Sequence, residues 1–322
     1  MDFNLTDVQR AWRDKASSLG RELPDDAAAA DVVMGAARVG LIDPQADLVA
    51  AALAVEALAC ESAAAGLALA LHTSALLALA GDDRFGSLVR GETVGALSLS
   101  TEDVASFEGG TLTGRASWVG PITARGVAIV GARQGHEIAA CAVPLDAKGV
   151  SIETLTTSAL RGFAWGHVRV AGVPCVGAGT PAPVMARART LIAAVALGIG
   201  HRALRESLAV AHRERGAGGE QTVQGLLADT ATELDAARLL TWKAAADADA
   251  VSLADASMAK LAASGAAQAA VIRATQVVGV DSFRRGHVIE RLTQDVRAIE
   301  LFAGRIEALR EAVADHALPH AE

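Results

Sequence analysis

At 322 residues the chain is long enough to bury a large core and to divide into one to three domains. Hydrophobic residues make up 52% of it, aromatics only 3%, and Tyr is absent, so alanine and leucine must build the core, which favours closely packed helices. A net charge of −8 and a pI near 5.5, with no Lys/Arg block, argue against non-specific nucleic-acid binding and against an anionic membrane as partner.

Cys60, Cys141 and Cys175 form no C-x-x-C pair and no even set, which reads as reduced thiols in a cytoplasmic protein. The start, Met1-Asp2-Phe3-Asn4, is acidic and polar, unlike a signal peptide. Residues 4–20 are predicted helical from Leu5, Val8, Trp12 and Leu19, with Asn4 or Thr6 as cap. Further helices are expected over 27–39, 46–59 after the Asp43-Pro44 turn, 63–79 and 85–90. The apolar run 63–80 raises a membrane question. His72, Thr73 and Ser74 interrupt it, and the run reads as a buried helix.

The texture changes at Gly95. Short β-branched stretches over 96–100, 111–119, 127–131, 138–143, 150–155 and 167–170 lie between Gly and Pro signals, at the spacing of an antiparallel sheet. Beyond Pro181 the helical pattern returns: 186–213, 221–247 and 253–278, with Gly216, Gly218 and Gly219 breaking the first from the second. Ile289, Leu292, Val296, Ile299, Ala303 and Ile306 then make one stripe at alternating three and four spacing. The expected fold is mostly α with an inserted β domain: a helical domain over 1–94, a β domain over 95–178 and a C-terminal helical bundle over 179–322.

That order, together with several motifs, resembles the acyl-CoA dehydrogenase family over almost the whole chain. Phe3-x-Leu5-Thr6-x-x-Gln9 resembles its opening helix, and Gly91-Glu92-x-x-Gly95-Ala96-Leu97 the entry to its β domain. Leu160-Arg161-Gly162 with Val173-Pro174 resembles the exit. In the bundle the match runs through Gln221-Thr222-Val223-Gln224, Ala237-Arg238-Leu239-Leu240, Met258-Ala259-Lys260, Gln276-x-x-Gly279 and Glu290-Arg291-Leu292-x-x-Asp295-x-Arg297. The resemblance implies FAD held between two subunits and oxidation of the Cα–Cβ bond of an acyl-CoA or acyl-carrier thioester. In that chemistry a carboxylate takes the α-proton.

This sequence departs from the family where the chemistry is done. The glutamate of the family's I-x-E-G-T segment corresponds to Ala303 in Leu301-Phe302-Ala303-Gly304-Arg305, and the alternative base position on the first bundle helix falls on Ala188. The T-E-P-x-x-G-S-D segment becomes Thr101-Glu102-Asp103-Val104-Ala105-Ser106-Phe107-Glu108. The R-K-x-F-G turn becomes Arg213-Glu214-Arg215-Gly216, and Trp118 keeps the flavin-facing tryptophan without its following residues. By this resemblance Arg213 or Arg215, Gln276, Gly279, Trp118 and Thr101 are the cofactor-binding candidates.

Each candidate has an ordinary alternative: a solvated arginine at a helix C-terminus, a buried amide, a helix-ending glycine, a core tryptophan. Glu300 and Glu307 flank Ala303 on an unbroken helix and are substitute bases; His72 reads as a core histidine. His316 and His320 have i,i+4 spacing but no third ligand. The chain thus resembles the base-lacking subunit of a heteromeric acyl-CoA dehydrogenase. Its partner would be a homologous subunit or a second copy, its FAD shared with that partner or lost, and its acyl group fatty or as bulky as a steroid side chain. A stand-alone flavoenzyme with a displaced carboxylate and a flavin-free binding protein are the alternatives.

Overall fold

A computed structural model describes residues 4–82, 86–98, 104–177, 179–213, 220–246 and 251–318. The first layer is helical. Helix α1 (Asp7–Glu22) opens on a capping box: Thr6 Oγ1 accepts the Gln9 N–H (3.2 Å) and Gln9 Oε1 accepts the Thr6 N–H (2.9 Å). Helix α2 (Ala29–Arg38) follows, then α3 (Leu48–Glu61), capped by Asp47, and α4 (Ala63–Ala78), capped by Ser62. A single turn, α5 (Gly86–Val89), ends the layer. Both α3 and α4 are apolar on nearly every face, because other elements enclose them on all sides. His72 on α4 is fully buried. Its Nδ1 accepts the Gly95 N–H at 3.0 Å, and burial pushes its pKa down to about 4.

The sheet runs β6–β7–β3–β2–β4–β5–β8, built from β2 (Ala105–Glu108), β3 (Thr111–Val119), β4 (Gly126–Gln134), β5 (Glu137–Pro144), β6 (Val150–Leu155), β7 (Trp165–Pro174) and β8 (Val176–Gly177). Strand β1 (Val94–Leu97) lies along β4. Pure antiparallel pairing was the expectation, and the structure corrects it: β1 and β2 both run parallel to β4. They pair with successive stretches of it, Val94 opposite Gly126 and Ala105 opposite Ala132, like two halves of one interrupted strand. One face of the sheet closes a core of its own around Leu112, Ala116, Val130, Val143 and Val168. The other turns Leu97, Ile129 and Trp165 towards the helices.

The third layer holds α6 (Pro181–Arg213), α7 (Gln221–Ala246), α8 (Leu253–Val278), a 3₁₀ turn (Gly279–Phe283), α9 (Val288–Leu301) and α10 (Ile306–Ala317). Among the described residues α6 is the one helix long and apolar enough to cross a membrane, yet 78% of that apolar stretch is buried inside the protein. It is the central post. A Cβ on Gly198 would stand 2.6 Å from both the Glu56 carbonyl oxygen and Ala59 Cβ, so α6 crosses α3 at backbone contact and only glycine fits. Beside that crossing, Arg238 of α7 reaches Glu56 of α3 and His201 of α6, binding the first layer to the bundle.

The continuous stripe from Ile289 to Ile306 does not make one helix. The chain leaves α9 at Phe302, and Ala303 (φ 64°) and Gly304 (φ 122°) take left-handed conformations before α10 begins. Glu300 and Glu307 are therefore not two flanks of one helical face around Ala303, which corrects that expectation.

Candidate functional site

The corner at 302–305 is built by two cations rather than by a glycine cap alone. The last carbonyls of a helix lack intrahelical donors and carry the negative end of the helix dipole. Lys260, with no exposed surface, donates from Nζ to the carbonyl oxygens of Glu300 (2.9 Å) and Gly304 (3.2 Å). Arg189 donates from Nε to the Ala303 oxygen (3.0 Å) and from Nη1 to Ser257 Oγ (2.8 Å). Neither cation has a carboxylate in ion-pair contact among the described residues. Burial, with the Arg189 charge adding to it and Glu300 opposing, lowers the Lys260 pKa to about 7. The neutral amine still has two N–H groups for its two carbonyls.

That shift has a consequence for stability. The folded pKa lies below the ordinary 10.5, so between the two values the unfolded chain binds more protons, and stability rises with pH from about 7 upward. The melting midpoint of the native protein is expected to climb between about pH 7 and pH 9 and to stay flatter in Lys260→Met. Parallel slopes in the two proteins would rule this out.

Around the corner stand rings. Phe302 packs on Trp165 (centroids 4.6 Å), Trp165 on Phe163 (4.6 Å) and Trp118 (5.9 Å), and Trp118 on His167 (6.2 Å). Four of the chain's ten Phe and Trp residues gather here, which makes it the aromatic centre of an aromatic-poor protein. Trp118 sits in a bulge of β3 with φ 53° and half its surface exposed, so it is not plain core.

The two positions expected to carry a base are linked through Arg189. Ala188 is fully buried on α6, and its neighbour Arg189 reaches the Ala303 carbonyl. Neighbouring carboxylates are engaged elsewhere. Glu300 Oε2 pairs with Arg297 Nη1 at 3.0 Å, and Glu307 is exposed on α10. Asp295 Oδ1 accepts the Leu160 N–H at 2.6 Å, which ties the sheet's exit to α9, and burial raises its pKa to about 6.

The cofactor candidates fall in two groups. Thr101 and Arg215 lie outside the described residues. Arg213 is exposed at the end of α6, its Nε donating to its own helix at the Ala209 oxygen (3.1 Å). Gln276 is exposed on the last turn of α8, and Gly279 (φ 73°) caps that helix. Helices α6 and α8 run parallel, since Arg189 meets Ser257 and Gly200 meets Ala267. Arg213, Gln276 and Gly279 therefore share one end of the bundle, while Ala303 and the rings occupy the other. The 24 residues of α6 between Arg189 and Arg213 span about 36 Å. One dinucleotide does not reach from one group to the other in a single chain.

Sequence reasoning did not single out Trp165, Phe302 or Arg189, and it used Lys260 only as part of a matching motif. A lysine inside the alanine-rich run of α8 was the available signal, since lysine is rarely buried without a partner.

The three-part plan, a helical layer, a mixed sheet and a long-helix bundle meeting at a ring cluster, is the fold of acyl-CoA dehydrogenases of known structure. Residues 177–318 match the family described as acyl-CoA dehydrogenase, C-terminal domain. The mitochondrial short-chain specific acyl-CoA dehydrogenase of Bos taurus is 37% identical over 153 residues, 46% of this chain and 37% of its own length. Its Sus scrofa counterpart is 30% identical over 251 residues, 71% of this chain and 60% of its own length. The matched stretches thus span less than two thirds of those relatives. Butyryl-CoA dehydrogenase from Megasphaera elsdenii superposes with a TM-score of 0.88 at 21% identity, over 99% of this chain and 100% of that one. The chain belongs to the acyl-CoA dehydrogenase family.

Proposed function

We propose that this chain is a subunit of a heteromeric acyl-CoA dehydrogenase, one that shapes and completes the site while a homologous partner carries the base. The observation that carries the reading is the corner at Ala303. Its supports, Arg189, Lys260 and the Phe302–Trp165 packing, are all present, yet the residue they hold has a methyl group in place of a carboxylate. Removal of an α-proton from a thioester needs a positioned base, and an alanine offers none.

The residues present fit a flavin dinucleotide only as two separate halves. Trp118 offers a half-exposed ring beside the corner; Arg213 and Gln276 offer donors at the far end of the bundle, next to the open left-handed turn at Gly279. Such a split set works when each half joins the opposite half of a second subunit, which supports a shared cofactor and an oligomer. FAD, when bound, supplies the hydride acceptor for the β-carbon. This chain's part is to present the Trp118 face, to hold the acyl group against the ring cluster and to bind the partner's cofactor through its bundle end. The missing carboxylate leaves room on this side for a bulky acyl group, such as a steroid side chain.

The visible absorption spectrum tests the assignment. Expressed alone, the purified chain is expected to lack flavin bands. Co-expressed with a homologue that keeps the glutamate, it is expected to co-purify with that homologue and with flavin. Flavin near one per chain in the lone protein would overturn the shared-site reading. Absence of flavin in both preparations would make the chain a flavin-free binding protein.

A further inference from the structure

Two of the three cysteines meet where the sheet hands the chain over to the bundle. Cys141 lies on β5 with no exposed surface, and half-buried Cys175 stands between the end of β7 and the start of β8. Strand β8 runs antiparallel to β5, with Gly177 opposite Cys141 and Val176 opposite Ala142. Cys175 is two residues before Gly177, so it shares the face of Cys141 as its diagonal neighbour. Both side chains pack into the sheet's own core. There the Cys141 thiol donates a hydrogen bond to the Cys175 sulfur. Burial raises both thiol pKa values, and the bond adds to the rise at Cys141, which reaches about 12, while opposing it at Cys175. Strand β8 is the last of the sheet and two residues long, and α6 begins soon after it at Pro181. A Cβ on Gly177 would meet nothing within 4 Å, so this edge has room to shift. The two thiols therefore stand across the connection that carries the chain from sheet to bundle.

We infer that Cys141 and Cys175 form a dithiol that a small-molecule disulfide closes into a protein disulfide, fastening β8 and the approach to α6 onto β5. The step balances. Cys175, the more exposed and the acceptor of the hydrogen bond, attacks one sulfur of the oxidant as thiolate and expels the first small thiol. The Cys141 sulfur then attacks Cys175 in the mixed disulfide and expels the second. Two electrons pass from the cysteines to the oxidant, and the two thiol protons leave with its two halves. Closure draws Cys175, which lies outside the regular strand, towards β5. The raised thiol pKa values keep the pair reduced and slow at neutral pH, and the rate climbs with pH as the Cys175 thiolate fraction grows. Cys60, on α3 and outside the sheet, takes no part.

Incubation of the full, folded chain with oxidised glutathione, followed by intact mass and non-reducing peptide mapping, tests it. Free thiols, counted after denaturation, are expected to fall from three to one, and the map to join the peptides of Cys141 and Cys175. Amide exchange at Val176 and Gly177 is expected to slow about tenfold on oxidation and to recover with dithiothreitol. The melting midpoint is expected to rise by about 3–8 °C. Phenylarsine oxide, which bridges paired thiols, is expected to bind one per reduced chain and to protect both cysteines from alkylation. Cys60→Ser is expected to leave every readout unchanged. In Cys141→Ala, Cys175 is expected to stop at the mixed disulfide with glutathione; circular dichroism checks that this variant is folded. The native-chain map needs no variant and decides by itself. If all three thiols stay free in the native chain, or Cys175 stops there as the glutathione adduct with Cys141 still reduced, the proposal is overturned.

Discussion

Arg238→Met is expected to destabilise the protein by about 3–5 kcal/mol, the cost of stranding a buried charge. Glu56 is 9% exposed on α3, and Arg238 surrounds it: Nη2 at 2.6 Å and Nε at 3.1 Å from Oε1, with Nε also 3.3 Å from Oε2. The same Nη2 donates to His201 Nε2 at 2.7 Å, while His201 Nδ1 contacts the Leu197 oxygen at 2.8 Å. An acceptor at Nε2 and a donor at Nδ1 describe a neutral imidazole. Burial lowers its pKa, with the Glu56 charge opposing and the Arg238 charge assisting. Without Arg238, His201 is what remains facing the Glu56 carboxylate among the described residues, at 3.3 Å. A domain of ordinary stability holds about 5–15 kcal/mol, so the loss is roughly a fifth of it or more. Urea unfolding followed by circular dichroism reads the difference. Adding Glu56→Gln to Arg238→Met is expected to recover part of the loss, because the stranded charge is then gone. A single variant within about 1 kcal/mol of native would show that the network contributes little beyond surface pairs.

The network also shows which features the amino-acid sequence makes legible. The first helix start was readable because its cap is local, Thr6 with Gln9, whereas the helix expected from 46 begins only after the Asp47 cap. The three-part order was readable because composition changes at Gly95 and again at Pro181. Other features depend on partners far along the chain. Strand β2 is four residues with a mixed pattern, and it exists through its pairing with Thr111 to Thr113 of β3. Parallel pairing of β1 with β4 joins segments about thirty residues apart, which local periodicity does not encode. The break at 302–305 is the clearest case. Ile299, Ala303 and Ile306 keep the helical spacing straight through it, so the sequence reads as continuous. The helix ends because Lys260 and Arg189 take its carbonyls and because Phe302 swings out to Trp165. None of those partners lies within forty residues of Ala303. The reading of Ala303 and Ala188 as the base positions, by contrast, rests on the register of the motif alone.

Ala303→Glu is expected to raise exchange of the α-protons of an acyl-CoA thioester in heavy water by about 10²- to 10⁴-fold, the range a positioned general base contributes. The backbone already tolerates the change. Ala303 has φ 64°, so the left-handed cost of about 1–2 kcal/mol falls on the native residue as much as on the variant. The surroundings favour a negative charge: Arg189 holds the carbonyl of that same residue, and Lys260 holds those of its neighbours, with no carboxylate in ion-pair contact with either cation among the described residues. A carboxylate here offsets two buried positive charges and raises the Lys260 pKa towards its ordinary value, so folding is expected to survive. Exchange of α-protons reads the base alone and does not require a hydride to leave, which separates this test from the state of the flavin. Ala303→Gln is the matched control, with the same shape and no basic oxygen. Should Ala303→Glu and Ala303→Gln exchange at the same rate, the corner receives no thioester, and the reading of this chain as the base-lacking half of a dehydrogenase falls with it.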